Sequence, residues 1–281
     1  MRTVETVKAL RAAVARARSS GSRIGFVPTM GFLHDGHLAL LDEAKRRAQF
    51  VVLSIFVNPL QFGPSEDLAR YPRDPAGDGA KAAAHGVDVL FMPSVQEMYP
   101  RETRVEVAPR TLHTRWEGAV RPGHFAGVLT VVAKLLSIVQ PDVTIFGQKD
   151  IQQATLVRAM VEDLNFPGEI IVAPTTREPD GLAMSSRNSY LTPAERASAT
   201  VLSRALFAMR DAFRRGESRV ESLLSAARAV LDTEPAASVD YLGVADPVTL
   251  DPVEDAVVGA VAMIAARIGR TRLIDNVILG Q

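Results

Sequence analysis

Cysteine is absent from the 281-residue chain, which excludes disulfides, thiolate metal sites, iron–sulfur clusters and a thiol nucleophile. Net charge is absent too. The 32 Lys and Arg balance 32 Asp and Glu, so no chain-wide field draws the protein to nucleic acid or to an anionic membrane, and neither partner is expected. Long apolar runs are missing: the longest nearly apolar stretch, Ala256 to Ala266, falls well short of the roughly 20 residues that a membrane-spanning helix needs. Lysine is scarce, with five (8, 45, 81, 134 and 149) against arginine for the rest of the basic residues, so a lysine in a chemically suggestive place stands out. The fingerprints G-x-x-x-x-G-K-[ST] and G-x-G-x-x-G do not occur, and P-loop and dinucleotide readings lose their main support. There is no internal repeat and no low-complexity tract. Residues 4–17 set Val4, Val7, Leu10, Val14 and Ala17 at helical spacing, but charges run through them, unlike the apolar centre of a signal peptide. The expectation is a structural amphipathic helix and a cytoplasmic protein.

What is present is alternation. Over the first 175 residues, short β-rich runs (24–28, 51–57, 87–91, 143–146 and 169–173) alternate with helical patterns (38–48, 80–85, 125–139 and 151–164). Apolar runs without polar alternation suit strands covered on both faces, as in a parallel sheet with crossover helices. In such open α/β sheets the ligand sits at the carboxyl ends of the strands, at a switch point. Beyond the prolines and Asp180-Gly181 of residues 174–181 the texture becomes helix, helix, strand, strand, strand: 193–215, 218–231, 239–244, 256–266 and 271–279. The chain therefore divides into an α/β domain, 1–175, and a smaller α+β domain, 176–281.

Several constellations could carry chemistry. Pro28-Thr-Met-Gly-Phe-Leu-His-Asp-Gly-His37 follows a strand and opens a helix, where backbone N–H groups and the helix dipole favour an anion. Taken alone, His-x-x-His reads as a pair of exposed turn histidines; in that context His34 and His37, with Gly36 between them, suit a phosphate instead. Phe146-Gly-Gln-Lys-Asp150 also sits at a strand end. There Lys149 would offer a mobile cation, Gly147 close backbone approach, and Asp150 an acceptor for a ribose hydroxyl or a helix cap. Asp180-Gly-Leu-Ala-Met-Ser-Ser-Arg187 is either a plain loop or a donor-rich one able to wrap a triphosphate. Gln61, Gln153, Arg121 and His124 are surface or capping residues in one reading; in the other, the amides orient a small hydroxylated acid and the arginine takes a carboxylate.

Together and in this order, these motifs resemble the pantothenate synthetase (pantoate–β-alanine ligase) family over essentially the whole chain. Pro28-Thr-Met-Gly31 with His34-Asp-Gly-His37 looks like its version of the HxGH signature. Phe56 to Phe62, Glu66 to Arg73, Arg121 to Phe125, Phe146 to Gln153, Gly181 to Asn188 and Thr271 to Asn276 look like its other hallmarks. The resemblance implies a Rossmann-like, doubly wound ATP- and pantoate-binding catalytic domain over 1–175, with a lid domain over 176–281. The implied reaction has two steps: pantoate's carboxylate attacks the α-phosphorus of Mg-ATP, and the amine of β-alanine then displaces AMP from pantoyl adenylate. It implies catalytic roles for His34, His37, Lys149 and Arg187. Nucleotide contacts are implied for Met30, Gly31, Gly36, Gly147, Asp150, Thr176, Met184, Ser185 and Ser186, and acid or amine contacts for Gln61, Gln153, Arg121 and Tyr71, with His124 beside them. Mg²⁺ would arrive with ATP, with protein ligands unassigned, and a homodimer is implied. Phe32 stands where the family usually has a small residue and Thr176 where an apolar one is common; Phe32 would either crowd the nucleotide loop or pack beneath it.

Two other readings fit part of the pattern. Another HxGH nucleotidyltransferase, adenylylating a phosphate substrate, would share the histidine loop but have less use for Gln61, Gln153 and Arg121. A non-catalytic nucleotide-binding regulator would have no use for a second substrate site.

Overall fold

The computed structural model describes residues 1–64 and 66–281. Its elements run β1 (Arg2–Val4), α1 (Val7–Ser19), β2 (Ile24–Thr29), α2 (Asp35–Arg47), β3 (Phe50–Ile55), α3 (Pro75–Ala84), β4 (Val89–Phe91), and the short helices α4 (Val95–Met98) and α5 (Glu117–Val120). Then come α6 (His124–Val139), β5 (Val143–Gly147), α7 (Ile151–Asp163), β6 (Glu169–Ala173), α8 (Pro193–Ser198), α9 (Thr200–Arg214), α10 (Val220–Leu231), β7 (Ala237–Ala245), β8 (Val261–Ile268) and β9 (Thr271–Ile278). Short 3-10 turns occupy Pro59–Gln61, Gln148–Asp150 and Ser186–Tyr190.

The first six strands form one parallel sheet, in the order β1-β4-β3-β2-β5-β6. Successive residues of its strands enter opposite cores, as a period of two requires. Phe26, Val52, Phe91 and Phe146 pack with α1, α6 and α7. Val27, Leu53, Leu90 and Ile145 pack with Leu41, Ala44 and Ala82 of α2 and α3. The sheet is thus doubly wound, as the unbroken apolar runs suggested. Chain order reverses between β2 and β5, and this reversal positions the site. These strands pair only at Gly25↔Val143 and Phe26↔Thr144, although β2 continues to Thr29 and β5 to Gly147. Their carboxyl ends diverge into the crevice expected at a switch point.

A second compact unit holds residues 175–281 together with Thr114–Val120 and Gln148–Gln152. Its sheet is antiparallel, β7-β8-β9, and packs on α9 and α10 through Leu202, Leu206, Leu223, Ile264 and Val277. The two inserted segments are tied to each other by Gln152, whose amide accepts from Glu117 N–H at 3.0 Å and donates to the Arg115 carbonyl at 3.0 Å.

Four boundaries differ from the sequence reading. Residues 2–4 form an edge strand beside β4, and the first helix starts at Val7, capped by Thr6; a three-residue strand is too short to register as a period. The helix expected over 80–85 begins at Pro75, capped by Asp74, because Gly77 and Gly79 had masked its propensity. The segment 193–215 is two helices meeting at Ala199. β8 begins at Val261 rather than Ala256, after a turn in which Gly259 takes φ +94°. Among the described residues, no helix is long and apolar enough to cross a membrane.

Candidate active site

The loop after β2 carries the two histidines. His34 is the N-cap of α2 and His37 its third residue, and they cap reciprocally. Gly36 N–H donates to His34 Nδ1 at 3.2 Å, and His34 N–H donates to His37 Nδ1 at 3.4 Å. A neutral imidazole whose Nδ1 accepts carries its proton on Nε2. Both rings, 4.1 Å apart between centroids, are therefore set as Nε2–H donors at the positive end of a helix.

The loop is strained and clamped. Gly31 and Phe32 both adopt left-handed backbone, φ +84° and +53°. A Cβ on Gly31 would stand 2.8 Å from Ile55 Cγ2 and 3.0 Å from an Asp78 oxygen. The carboxylate of Asp78, 1 % exposed, accepts the Phe32 and Leu33 N–H groups at 2.8 and 2.6 Å. Lys81 Nζ donates to the Leu33 carbonyl at 2.6 Å. Phe32 lines a cleft of about 300 Å³ with Ile55, Phe56, Met92 and Val95, so it packs on that side of the loop.

Gln61, 9 % exposed, follows β3 on the Pro59–Gln61 turn. Asn58 Nδ2 donates to Gln61 Oε1 at 3.1 Å and to the Gly127 carbonyl at 3.1 Å. Tyr99 Oη donates to Asn58 Oδ1 at 2.8 Å; burial pushes the Tyr99 pKa up to about 12, so it remains a donor. With Oε1 accepting, the Gln61 amide aims its Nε2 at Met30 Sδ, 3.2 Å away. Asn58, Tyr99 and Gly127 were not assigned roles from sequence. Asn58 was visible within the Phe56–Phe62 motif, whereas Tyr99 and Gly127 carry no local signal.

Arg121 does hold a carboxylate: that of Glu66, through Nε at 2.8 Å and a second nitrogen at 2.6 Å. A further guanidinium nitrogen lies 3.0 Å from His124 Nε2. Because arginine only donates, that ring nitrogen accepts, and His124 Nδ1–H donates to the Gln61 carbonyl at 2.9 Å. Burial pushes the Glu66 carboxyl up, but the Arg121 hydrogen bonds and charge outweigh it and hold Glu66 below its usual 4.5. A carboxylate lowered in the folded state contributes stability above its unfolded value and loses it as pH falls through the folded one. The stability difference between wild type and Glu66→Gln should therefore be complete at neutral pH and shrink once pH drops below about 4.5. Thermal unfolding across that range measures it, and a pH-independent difference would count against the pair. Tyr71 is buried, its ring edge-on to Phe62 at 6.0 Å. Gln153 is half-buried in the first turn of α7.

In the second unit, Lys149 lies in the 3-10 turn after β5, its Nζ 3.9 Å from Asp150. A Cβ on Gly147 would meet no atom within 4 Å, so internal packing does not require glycine there. The loop that follows closes on itself. Met184 N–H donates to the Thr176 carbonyl at 3.0 Å, Arg177 bridges to Ala183, and Ser185 Oγ accepts Arg187 N–H at 3.2 Å. Ser186 is buried, and Met184, Ser185 and Arg187 are half-buried. Among the described residues, no three His, Asp or Glu side chains cluster to hold a metal ion.

A doubly wound parallel sheet whose switch-point loop opens a helix with paired imidazoles marks an α/β protein carrying the HxGH signature. Comparison with known proteins makes this specific. The family model described as pantoate-beta-alanine ligase matches residues 2–278. Pantothenate synthetase of Trichlorobacter lovleyi is 50% identical over 281 residues, covering 100% of this chain and 99% of that protein. That of Thermus thermophilus is 54% identical over 278 residues, 98% of each. A crystal structure of the Thermus thermophilus enzyme superposes with a TM-score of 0.95, at 53% identity and 99% coverage of both chains. The pantoate-beta-alanine ligase of Francisella tularensis, complexed with beta-gamma ATP and beta-alanine, gives 0.80 at 34% identity, covering 99% of this chain and 97% of that one. The chain belongs to the pantoate–β-alanine ligase family.

Proposed function

We propose that this ligase condenses pantoate with β-alanine through a pantoyl-adenylate intermediate, releasing pyrophosphate and then AMP. The observation that carries the reading is the reciprocal cap of His34 and His37, which fixes two Nε2–H donors at a helix N-terminus in a chain matched by the family from residue 2 to 278. In-line attack at phosphorus needs alignment and charge neutralisation more than a protein nucleophile. His34 and His37 donate to phosphate oxygens, and Lys149 and Arg187 supply cationic charge. Met30, Gly31, Gly36, Gly147, Asp150, Thr176, Met184, Ser185 and Ser186 form the nucleotide contacts. Gln61, its amide oriented by Asn58, and Gln153 orient pantoate. Arg121, together with Tyr71, serves the β-alanine carboxylate, which would replace Glu66 on the guanidinium. The substrate nucleotide is Mg-ATP, with Mg²⁺ held largely by its phosphates. The assembly is a cytoplasmic homodimer, a reading that rests on the family; a sedimentation mass of 30.3 kDa at working concentration would overturn the dimer.

ATP–pyrophosphate exchange tests the reaction. Exchange should require pantoate and proceed without β-alanine. Exchange that is indifferent to pantoate would favour adenylylation of another substrate, and none at all would favour a regulator.

A further inference from the structure

The motif Thr271 to Asn276 has no part in the chemistry above, yet two of its polar side chains are almost completely enclosed: Asp275 is 4 % exposed and Asn276 1 %. Neighbouring residues of a strand face opposite sides. Asp275 shares the side of Leu273 and Val277, which belong to the apolar core, whereas Asn276 faces away from it. Each is answered by a particular partner. Asn276 Nδ2 donates to the carbonyls of Gln148 and Lys149, both at 2.9 Å, and Asn276 Oδ1 accepts from Gln148 Nε2 at 3.2 Å. The amide thus spends both N–H groups on two consecutive carbonyls of the turn that carries Lys149, and the Gln148 bond fixes which way round it sits.

Asp275 is held by Arg177 in a two-point pair at 2.7 and 2.9 Å. The same guanidinium donates to the Asn276 carbonyl at 3.1 Å and to the Gly181 carbonyl at 3.0 Å, and it lies over the Phe207 ring at 5.1 Å. Arg177 begins the loop that ends in Ser185, Ser186 and Arg187. One dipeptide of β9 therefore ties down both the lysine turn and the base of the hydroxyl-and-arginine loop. Planar, two-point bonds of this kind specify direction as well as proximity.

We propose that Asn276 is a positioning residue for Lys149: through the Gln148 and Lys149 carbonyls it fixes the backbone from which the lysine reaches the transferring phosphate, with Asp275–Arg177 bracing the same point. The inference rests on the role given to Lys149 above. A long, flexible side chain keeps its charge wherever its backbone sits, but stabilises a transition state only from the correct origin. Loss of the clasp should therefore lower the rate of adenylation while leaving the use of preformed pantoyl adenylate by β-alanine much less affected.

A double-mutant cycle tests this, with pantoate-dependent ATP–pyrophosphate exchange measured in wild type, Lys149→Ala, Asn276→Ala and the double variant. Asn276→Ala should slow exchange by about 10- to 100-fold in the wild-type background and by much less when Lys149 is already gone, because its effect passes through the lysine. Equal losses in both backgrounds would overturn the proposal, since Asn276 would then be acting elsewhere, as would wild-type exchange in Asn276→Ala alongside a crippled Lys149→Ala. Wild-type exchange in Lys149→Ala would instead remove the reading of Lys149 itself, and the clasp with it. Gln148→Ala, which takes away only the bond orienting the amide, serves the same cycle if Asn276→Ala does not fold; it should give a smaller loss that also vanishes without Lys149.

Discussion

Alanine at His37 or at Lys149 should lower pantoate-dependent ATP–pyrophosphate exchange by about 10²- to 10⁴-fold, the range for removing a positioned proton donor or a group that stabilises developing charge. The two losses arise differently. His37→Ala removes an Nε2–H donor and also the acceptor for the His34 N–H, so the remaining imidazole loses part of the cap that orients it. The cap itself is worth about 1 kcal/mol, small against a domain stability of about 5–15 kcal/mol, so the protein should stay folded while the rate falls. His37→Gln, whose amide N–H can stand in for Nε2–H, should recover part of the loss, whereas His37→Leu should recover none. Lys149→Ala leaves the clasped backbone untouched, because Asn276 bonds to carbonyls and not to the side chain. Its stability should remain that of wild type while the charge on the phosphate side disappears. Circular dichroism and thermal unfolding check the fold, and exchange rates at saturating ATP check the chemistry. Near-normal exchange in either variant would refute that residue's role.

How far the sequence showed the site follows from the range of each contact. The histidine loop was legible because the features that mark it are local: a strand, a glycine, two histidines three apart and the helix they cap. The alternation of strands and helices was legible for the same reason, and it sufficed to predict a parallel sheet covered on both faces, though not the edge strand Arg2–Val4, whose partner β4 is far along the chain. Lys149 stood out through the scarcity of lysine, but its tether to Asn276 did not. Arg121 was read as a carboxylate binder, and the carboxylate it holds belongs to Glu66, a pairing that no local pattern encodes. Asp78 is harder still. It sits in a helix that two glycines disguise, and its function is to accept the N–H groups of Phe32 and Leu33, donors exposed only because the loop bends through left-handed backbone.

Gly127→Ala should be damaging although it adds only a methyl, because that methyl has nowhere to go. A Cβ there would lie 2.2 Å from the Leu60 carbonyl oxygen and 2.7 Å from the Gln61 Cα. These are backbone atoms, so no rotamer change relieves the contact. On one side α6 is anchored by Phe125, Val128, Leu129 and Val132 in the sheet core. On the other, the Pro59–Gln61 turn is tied by Asn58 to the Gly127 carbonyl itself. One of the two must shift, and overpacking of this kind costs about 1–3 kcal/mol. If the turn yields, Gln61 moves with it, and so does the carbonyl that accepts from His124; a displacement near 1 Å is enough to lower kcat/KM for pantoate by about 10²-fold. Gly79→Ala is the matching control. It lies inside α3 with nothing within 4 Å of its Cβ position, and there alanine should be neutral or stabilising by up to about 1 kcal/mol. Thermal unfolding and the pantoate dependence of exchange, measured on both variants, separate the two cases. Wild-type stability and an unchanged pantoate KM in Gly127→Ala would mean that the close approach of α6 to the Gln61 turn does not govern where that glutamine sits.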